Sequence, residues 1–262
     1  MTYAMQASSI KLNRTPAVEY VLRIGDTCLI LAQRLGEWCG HAPVLEEDIA
    51  MANIALDLVG QARALLTHAG QLEGLGHDED QLAFLRNERD YLNLTLVELP
   101  RGDFAFSVLR NAMVATWLKL LWQRLADSSD AELAAIAGKA LKEARYHQQH
   151  SGDWVVRLGD GTSESRRRMQ AALDTAWRYV PELFDTDAVD RDAVDNGLGP
   201  SWSELQLPWH EEMQAMLGES MLAMPAPSAF RSDGKRGRHS ENLGFILTDM
   251  QYLQRAYPGG VW

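Results

Sequence analysis

The local motifs that mark hydrolases, nucleotide-driven enzymes and zinc proteins are missing here. There is no Gly-x-Ser-x-Gly, no P-loop, no dinucleotide fingerprint and no zinc-type spacing. Cysteine is scarce: only Cys28 and Cys39 occur. Both fall in one helical pattern whose rise separates them by roughly 16 Å, too far for a disulfide, and two unpaired thiols suit the cytoplasm. Positive charge is also short, with 25 Lys and Arg against 36 Asp and Glu, a formal net charge of −11. That balance argues against a nucleic-acid partner, which would need a basic face, and leaves docking to a protein open. No run reads as a membrane span, so no membrane partner is expected. The opening MTYAMQASSIKLNRTP lacks the apolar core of a secretory signal, and residues 1–15 read as a disordered arm. Strand alternation, internal repeats and low-complexity blocks are absent as well.

What is present is helical period. At 262 residues, 46% hydrophobic and 23% charged, the chain can bury a full core, and residues 16–262 read as one all-α domain. Thr15-Pro16 is a start signal for a helix to about Cys39. GHAP at 40–43 breaks it, and a second long helix, about 44–72, is apolar over most of its circumference, as suits the middle of a bundle. Residues 82–99 carry a shorter, less regular helical segment. Asp103 caps a third long helix, about 104–126, and Ser129 with Glu132 forms a capping box for a fourth that ends near Gly159. The short connections make each long pair antiparallel. Residues 163–184 read as a fifth helix and 185–202 as an acidic loop. Pro208 sits in the first turn of a helix to about Met224, and a last helix covers 240–257.

Two long antiparallel pairs are the frame of ferritin-like bundles, whose di-iron sites take one acid from each of two helices and a Glu-x-x-His box from each of the others. Several residues invite that comparison. Asp26 and Asp57 lie at similar distances from the 40–43 turn and are expected side by side, with Gln61 one turn further and Glu143 at matching depth on the fourth helix. KEARYHQQH adds His147 and His150 to the face of Glu143. The set is nevertheless incomplete. Gly60 stands where Asp57 would need an imidazole, Tyr146 stands where Glu143 would need one, and the helix over 104–126 contains no acid at all. Asp26, Asp57, Gln61, Glu143 and His147 therefore read as a vestigial polar cluster rather than a metal centre. Lys119, Lys139, Arg63 and His147 are the expected balancing groups, because an unpaired buried carboxylate is costly. The alternatives are a single-metal site at Glu143, His147 and His150, or a replacement acid from Glu88 or Asp90, whose charged surroundings favour the surface.

Two basic stretches stand out from the acidic background. Arg166, Arg167 and Arg168 sit early in a helix, where the dipole disfavours cations unless an acid holds them. Lys235, Arg236 and Arg238 lie in a loop before the last helix, compatible with a phosphate or an acidic partner. Trp154, Trp177, Trp202 and Trp209 are of the type that protein interfaces favour.

Beyond these readings, the strings LRIGDTCLILAQRLGEWCGHAP, ANIALDLVGQAR, LKEARYHQQHSGDWVVRLGDGT and DMQYLQRAYPG resemble the C subunits of bacterial phenylacetyl-CoA ring-1,2-epoxidases, from about Pro16 to Trp262. The resemblance implies a ferritin-like long-helix bundle with additional C-terminal helices and a degraded site. It implies a partner A subunit that holds the di-iron centre and binds the CoA thioester. A reductase with flavin and an iron–sulfur cluster would supply electrons from NADPH for epoxidation of the ring by O2. No catalytic, cofactor-binding or metal-binding residue is carried over to this chain, and the chain alone is expected to be inactive, with self-association as its fallback. A metal-dependent oxidase in its own right and a free-standing acyl-CoA binder are the competing classes.

Overall fold

The structure, a computed structural model, describes residues 9–260; the part of the expected N-terminal arm over 1–8 lies outside the described residues. Residues 9–15 are not free. Asn13 donates its backbone N–H to Glu73 (2.8 Å) and its amide to the Glu73 carbonyl, and Ile10 N–H reaches Leu85 O.

Helix α1 (Pro16–Gly36) starts as its sequence dictates, with Thr15 accepting from Val18 N–H and proline at the first position. Every residue from Tyr20 to Ala32 is buried, so all sides of this helix face protein. It runs antiparallel to α2 (Leu45–Glu73), with Cys28 opposite Gln61 (3.6 Å). Gly25 lies against Leu65, where an added Cβ would stand 3.2 Å from the Leu65 Cβ. This register corrects the expected levelling of Asp26 with Asp57. Beyond Gly36 the chain goes on coiling through Trp38 and His41 before it reverses, which displaces the two helices by about two turns.

The second long pair is α5 (Phe104–Leu125) and α6 (Ala131–Gly159). Asp103 caps α5 as expected, but the α6 cap is Asp130, one residue after the expected Ser129, whose hydroxyl donates to Asn196 O instead. Asn111 donates to Ser151 and Gln148 to Thr116, pinning the antiparallel register. Two helices are long and apolar enough, by length and composition, to cross a membrane, contrary to the expectation of none. For α5 the cause is its place inside the bundle, with 83% of the relevant window buried; α2 is only 44% buried there, because its outer face is itself apolar.

Between the pairs, the expected helix over 82–99 is broken into α3 (Glu79–Phe84), a 3-10 turn (Glu88–Asp90) and α4 (Thr95–Glu98). The charged NERD run cannot be buried as a helix, so residues 91–94 enter the core in an irregular course. Side chains replace the missing ladder: Leu92 N–H binds Asp26, Leu94 N–H binds Thr27 and Thr95 N–H binds Glu182.

The expected fifth helix splits into α7 (Ser163–Trp177) and α8 (Val180–Phe184), because Pro181 cannot donate into a continuous ladder. The expected acidic loop contains α9 (Ala188–Asp195), capped by Asp187, which accepts from Val189 and Asp190 N–H. Helix α10 (Gln206–Glu219) ends earlier than expected, and α11 (Glu241–Ala256) folds back against α3 and the 3-10 turn. Pairing of strand type is limited, among the described residues, to one isolated bridge between Asp233 and Arg238. The fold is a ferritin-like all-α bundle. Of the tryptophans whose type suggested an interface, Trp202 and Trp209 are fully buried and Trp177 nearly so, which makes them core, while Trp154 is partly buried.

Candidate functional site

Helices α2 and α6 meet along a seam of polar pairs. Glu47 accepts from His150 (3.0 Å), Asp57 from His147 (3.0 Å), and Glu143 from the Gln61 amide (2.9 Å); at the far end Asp130 accepts from His68 (2.9 Å). Residue numbers rise on one helix as they fall on the other, so the pairs lie at successive levels and not in one cluster. Cys28 reaches the seam from α1 by directing its thiol at the Gln61 carbonyl, and burial pushes that thiol far above its usual range. Burial also drives the His147 pKa down, against the pull of Asp57. The ring is therefore neutral near pH 7 and donates through Nε2–H to Asp57.

Asp26 does not belong to this seam. It is wholly buried and turned toward Arg86, whose Nη1 donates to Oδ2 at 2.9 Å while Nη2 binds Oδ1; Leu92 N–H adds a third bond at 2.8 Å. The expected balancing groups fare differently from one another. His147 does bind Asp57, but Lys119 pairs with Glu212 and Arg63 with Glu79, and Lys139 makes no ion pair among the described residues. Arg86 escaped the sequence reading because NERD beside it suggested surface. The available signal was the run of leucines that follows, at 92, 94 and 96, all fully buried.

The donors present do not fit a di-iron centre. The buried polar side chains of α5 include Ser107, Asn111 and Thr116, with no acid. Gly60 offers no ligand atom, Tyr146 is 53% exposed, Asp26 is held by Arg86, and His147 directs Nε2 at Asp57. Among the described residues no group of three or more His, Cys, Asp or Glu side chains is arranged to hold a metal. The alternative trio also fails to converge, since Glu143, His147 and His150 each bind a different α2 residue. Glu88 is exposed, and Asp90 accepts from Asn87 N–H at the surface turn.

Glu143 is partly exposed and faces an amide, so the expectation of an ion-paired buried carboxylate does not hold. Glu143→Gln strands no cation and keeps an acceptor for Gln61. It is expected to change stability by less than about 1 kcal/mol, or no more than roughly 4 °C in Tm, in thermal denaturation followed by circular dichroism. A loss several times larger would show a charge requirement at this position.

The basic stretches are neutralised within the chain. Lys235 is buried beside Asp190 (3.8 Å), Arg236 binds Asp185, Asp187 and Asp233, and Arg238 binds Asp233. A cleft of about 790 Å³ beside them is lined by Tyr179, Phe184 and Phe230, by Glu182, Asp185 and Asp233, and by Arg231, Arg236, Arg238 and His239. Arg236 and Arg238 are already neutralised by the lining acids Asp185 and Asp233, so those two guanidiniums are not free for a polyphosphate. Arg167 and Arg168 are held by Glu164, whose carboxyl their hydrogen bonds pull down to about 2.

Fold and site together define a class: a ferritin-like helical bundle in which polar side-chain pairs join the second and fourth long helices. The family model for phenylacetic acid catabolic proteins matches residues 1–262, and the chain belongs to that family. It is 50% identical over 243 residues to the C subunit of the 1,2-phenylacetyl-CoA epoxidase of Escherichia coli (strain K12), a match that covers 93% of this chain and 98% of that protein.

Proposed function

We propose that this chain is the non-catalytic structural subunit of a cytoplasmic phenylacetyl-CoA 1,2-epoxidase, paired with a catalytic A subunit in aerobic phenylacetate degradation. The observation that carries the reading is the α2–α6 seam, where the side chains that would ligate iron bind one another, in a chain half identical to an epoxidase C subunit. In this reading the di-iron centre belongs to the A subunit. Flavin, iron–sulfur and NADPH enter through a reductase. One oxygen atom of O2 goes to the aromatic ring and the other to water, with two electrons from NADPH. The present chain holds the catalytic subunit in its working shape.

The test is reconstitution. The purified chain with the reductase, NADPH and phenylacetyl-CoA is expected to consume no oxygen, and adding the A subunit is expected to start epoxide formation. Iron counted per chain should follow the A subunit. Turnover without any A subunit, or close to two irons per copy of this chain, would overturn the proposal.

A further inference from the structure

The outer faces of α2 and α6 lie side by side across the polar seam. On α2, Leu45, Ile49, Leu56 and Val59 recur at helical spacing and are 72%, 55%, 67% and 40% exposed. A repeating apolar stripe of this kind is unusual on a free surface. On α6, the exposed ring of Tyr146 lies against His147 and His150, the two imidazoles that reach α2, and so borders the same seam. Beside it stand Lys139, Lys142 and Arg145, all exposed. None of these three makes an ion pair among the described residues, a state they share with exposed Arg89, Arg191 and Arg231 elsewhere on the chain. Between the helices the surface dips at Gly60 into a cleft of about 240 Å³ floored by Gln61, Ala64, Ile136 and Ala140.

We infer that this two-helix face is the docking surface for the catalytic sister subunit, whose facing helices carry an apolar stripe flanked by acidic side chains. The inference rests on the reading above that the chain works as part of the epoxidase. Three features select this occupant. The apolar repeat runs about 21 Å along α2 and matches the ridge of another long helix. Three cations without an ion pair among the described residues, on a chain of net charge −11, call for acids opposite them. A second copy suits the face poorly, because a two-fold contact lays the same patch on itself, cations included. The dip at Gly60 admits one protruding side chain of the partner, in the manner of an anchor residue.

The experiment measures binding of the full-length chain to the purified catalytic subunit by isothermal titration and sedimentation. The variants are Leu56→Asp, Lys142→Glu with Arg145→Glu, and the control Phe245→Asp, an exposed apolar position on α11. All four positions are exposed, and thermal denaturation of each variant alone confirms an intact fold. Leu56→Asp is expected to weaken binding at least 100-fold. The double charge reversal should weaken it at least tenfold and flatten its salt dependence, while Phe245→Asp should stay within twofold. Unchanged binding by the first two variants, or loss only with Phe245→Asp, would overturn the assignment of the face while leaving the assembly reading intact. A wild-type homodimer that Leu56→Asp splits would hand the face to a second copy. Failure of the wild-type chain to bind the catalytic subunit at all would sink the assembly reading, and this face with it.

Discussion

Asp26→Asn is expected to lower the thermal midpoint by on the order of 10 °C. Both members of the Asp26–Arg86 pair have fully buried side chains. Although burial alone would lower the Arg86 pKa, the Asp26 carboxylate overcomes it and holds the guanidinium charged. Removing the partner leaves that charge in a medium that solvates it badly, at a cost of about 3–5 kcal/mol. Each kcal/mol moves the midpoint of a chain this size by roughly 2–4 °C. The double variant Asp26→Leu with Arg86→Met strands neither charge and should recover at least half of the loss. It should not recover all, because Arg86 also donates to the Leu82 and Asp90 carbonyls. A single variant within about 2 °C of wild type would show that the pair is dispensable.

Glu98→Ala should act on a different part of the molecule. Glu98 is wholly buried and accepts from Asn93, from His239 Nδ1, and from both the backbone and hydroxyl of Ser240. It ties the start of α11 to the segment between the two long hairpins. Its removal leaves the buried donors of Asn93, His239 and Ser240 without their acceptor, at about 1–3 kcal/mol for each group so stranded, and is expected to expose residues 225–240 to limited proteolysis before the bundle melts. There is a pH signature. Burial opposes the charge on His239, but Glu98 outweighs it and the pKa is raised. The stabilisation is thus complete below the unfolded value of about 6.5 and fades as pH rises through the higher folded value. His147 works in the opposite sense: its pKa is lowered, so its contribution fades as pH falls below about 6.5. Protease resistance of the 225–240 segment should therefore decline in the wild type as pH rises from about 6 to about 9. In Glu98→Ala it should be low throughout and nearly flat, and a wild-type slope retained in that variant would assign the titration to another group.

The long helices were legible because each carries a sustained period of threes and fours, and α1 and α5 also carry a cap that the backbone uses. Thr15-Pro16 and Asp103 did what their chemistry requires. Absences were equally readable, since a helix without an acid cannot lend one. Partners were harder. Whether Asp26 meets Asp57 or Arg86 depends on how far the chain coils past Gly36, which no local pattern encodes. The acids at 185–190 read as loop because the cations that neutralise them, Arg23, Lys235 and Arg236, lie far away in sequence. Exposed Leu45, Ile49 and Leu56 were hidden by their own hydrophobicity, since an apolar helix face reads the same whether it meets its own core or another chain.

The bond between Ser240 and Glu98 spans 142 residues. Synthesis at about 5–20 residues per second leaves Glu98 waiting roughly 7–28 s for its partners to be made. During that interval the first helical hairpin can close on Arg86, but the strap that α11 provides does not yet exist. A ribosome paused before codon 240 would thus hold an acidic side chain and a set of buried leucines open to chaperones, and the arrival of α11 with its Ser240 cap is what retires that exposure.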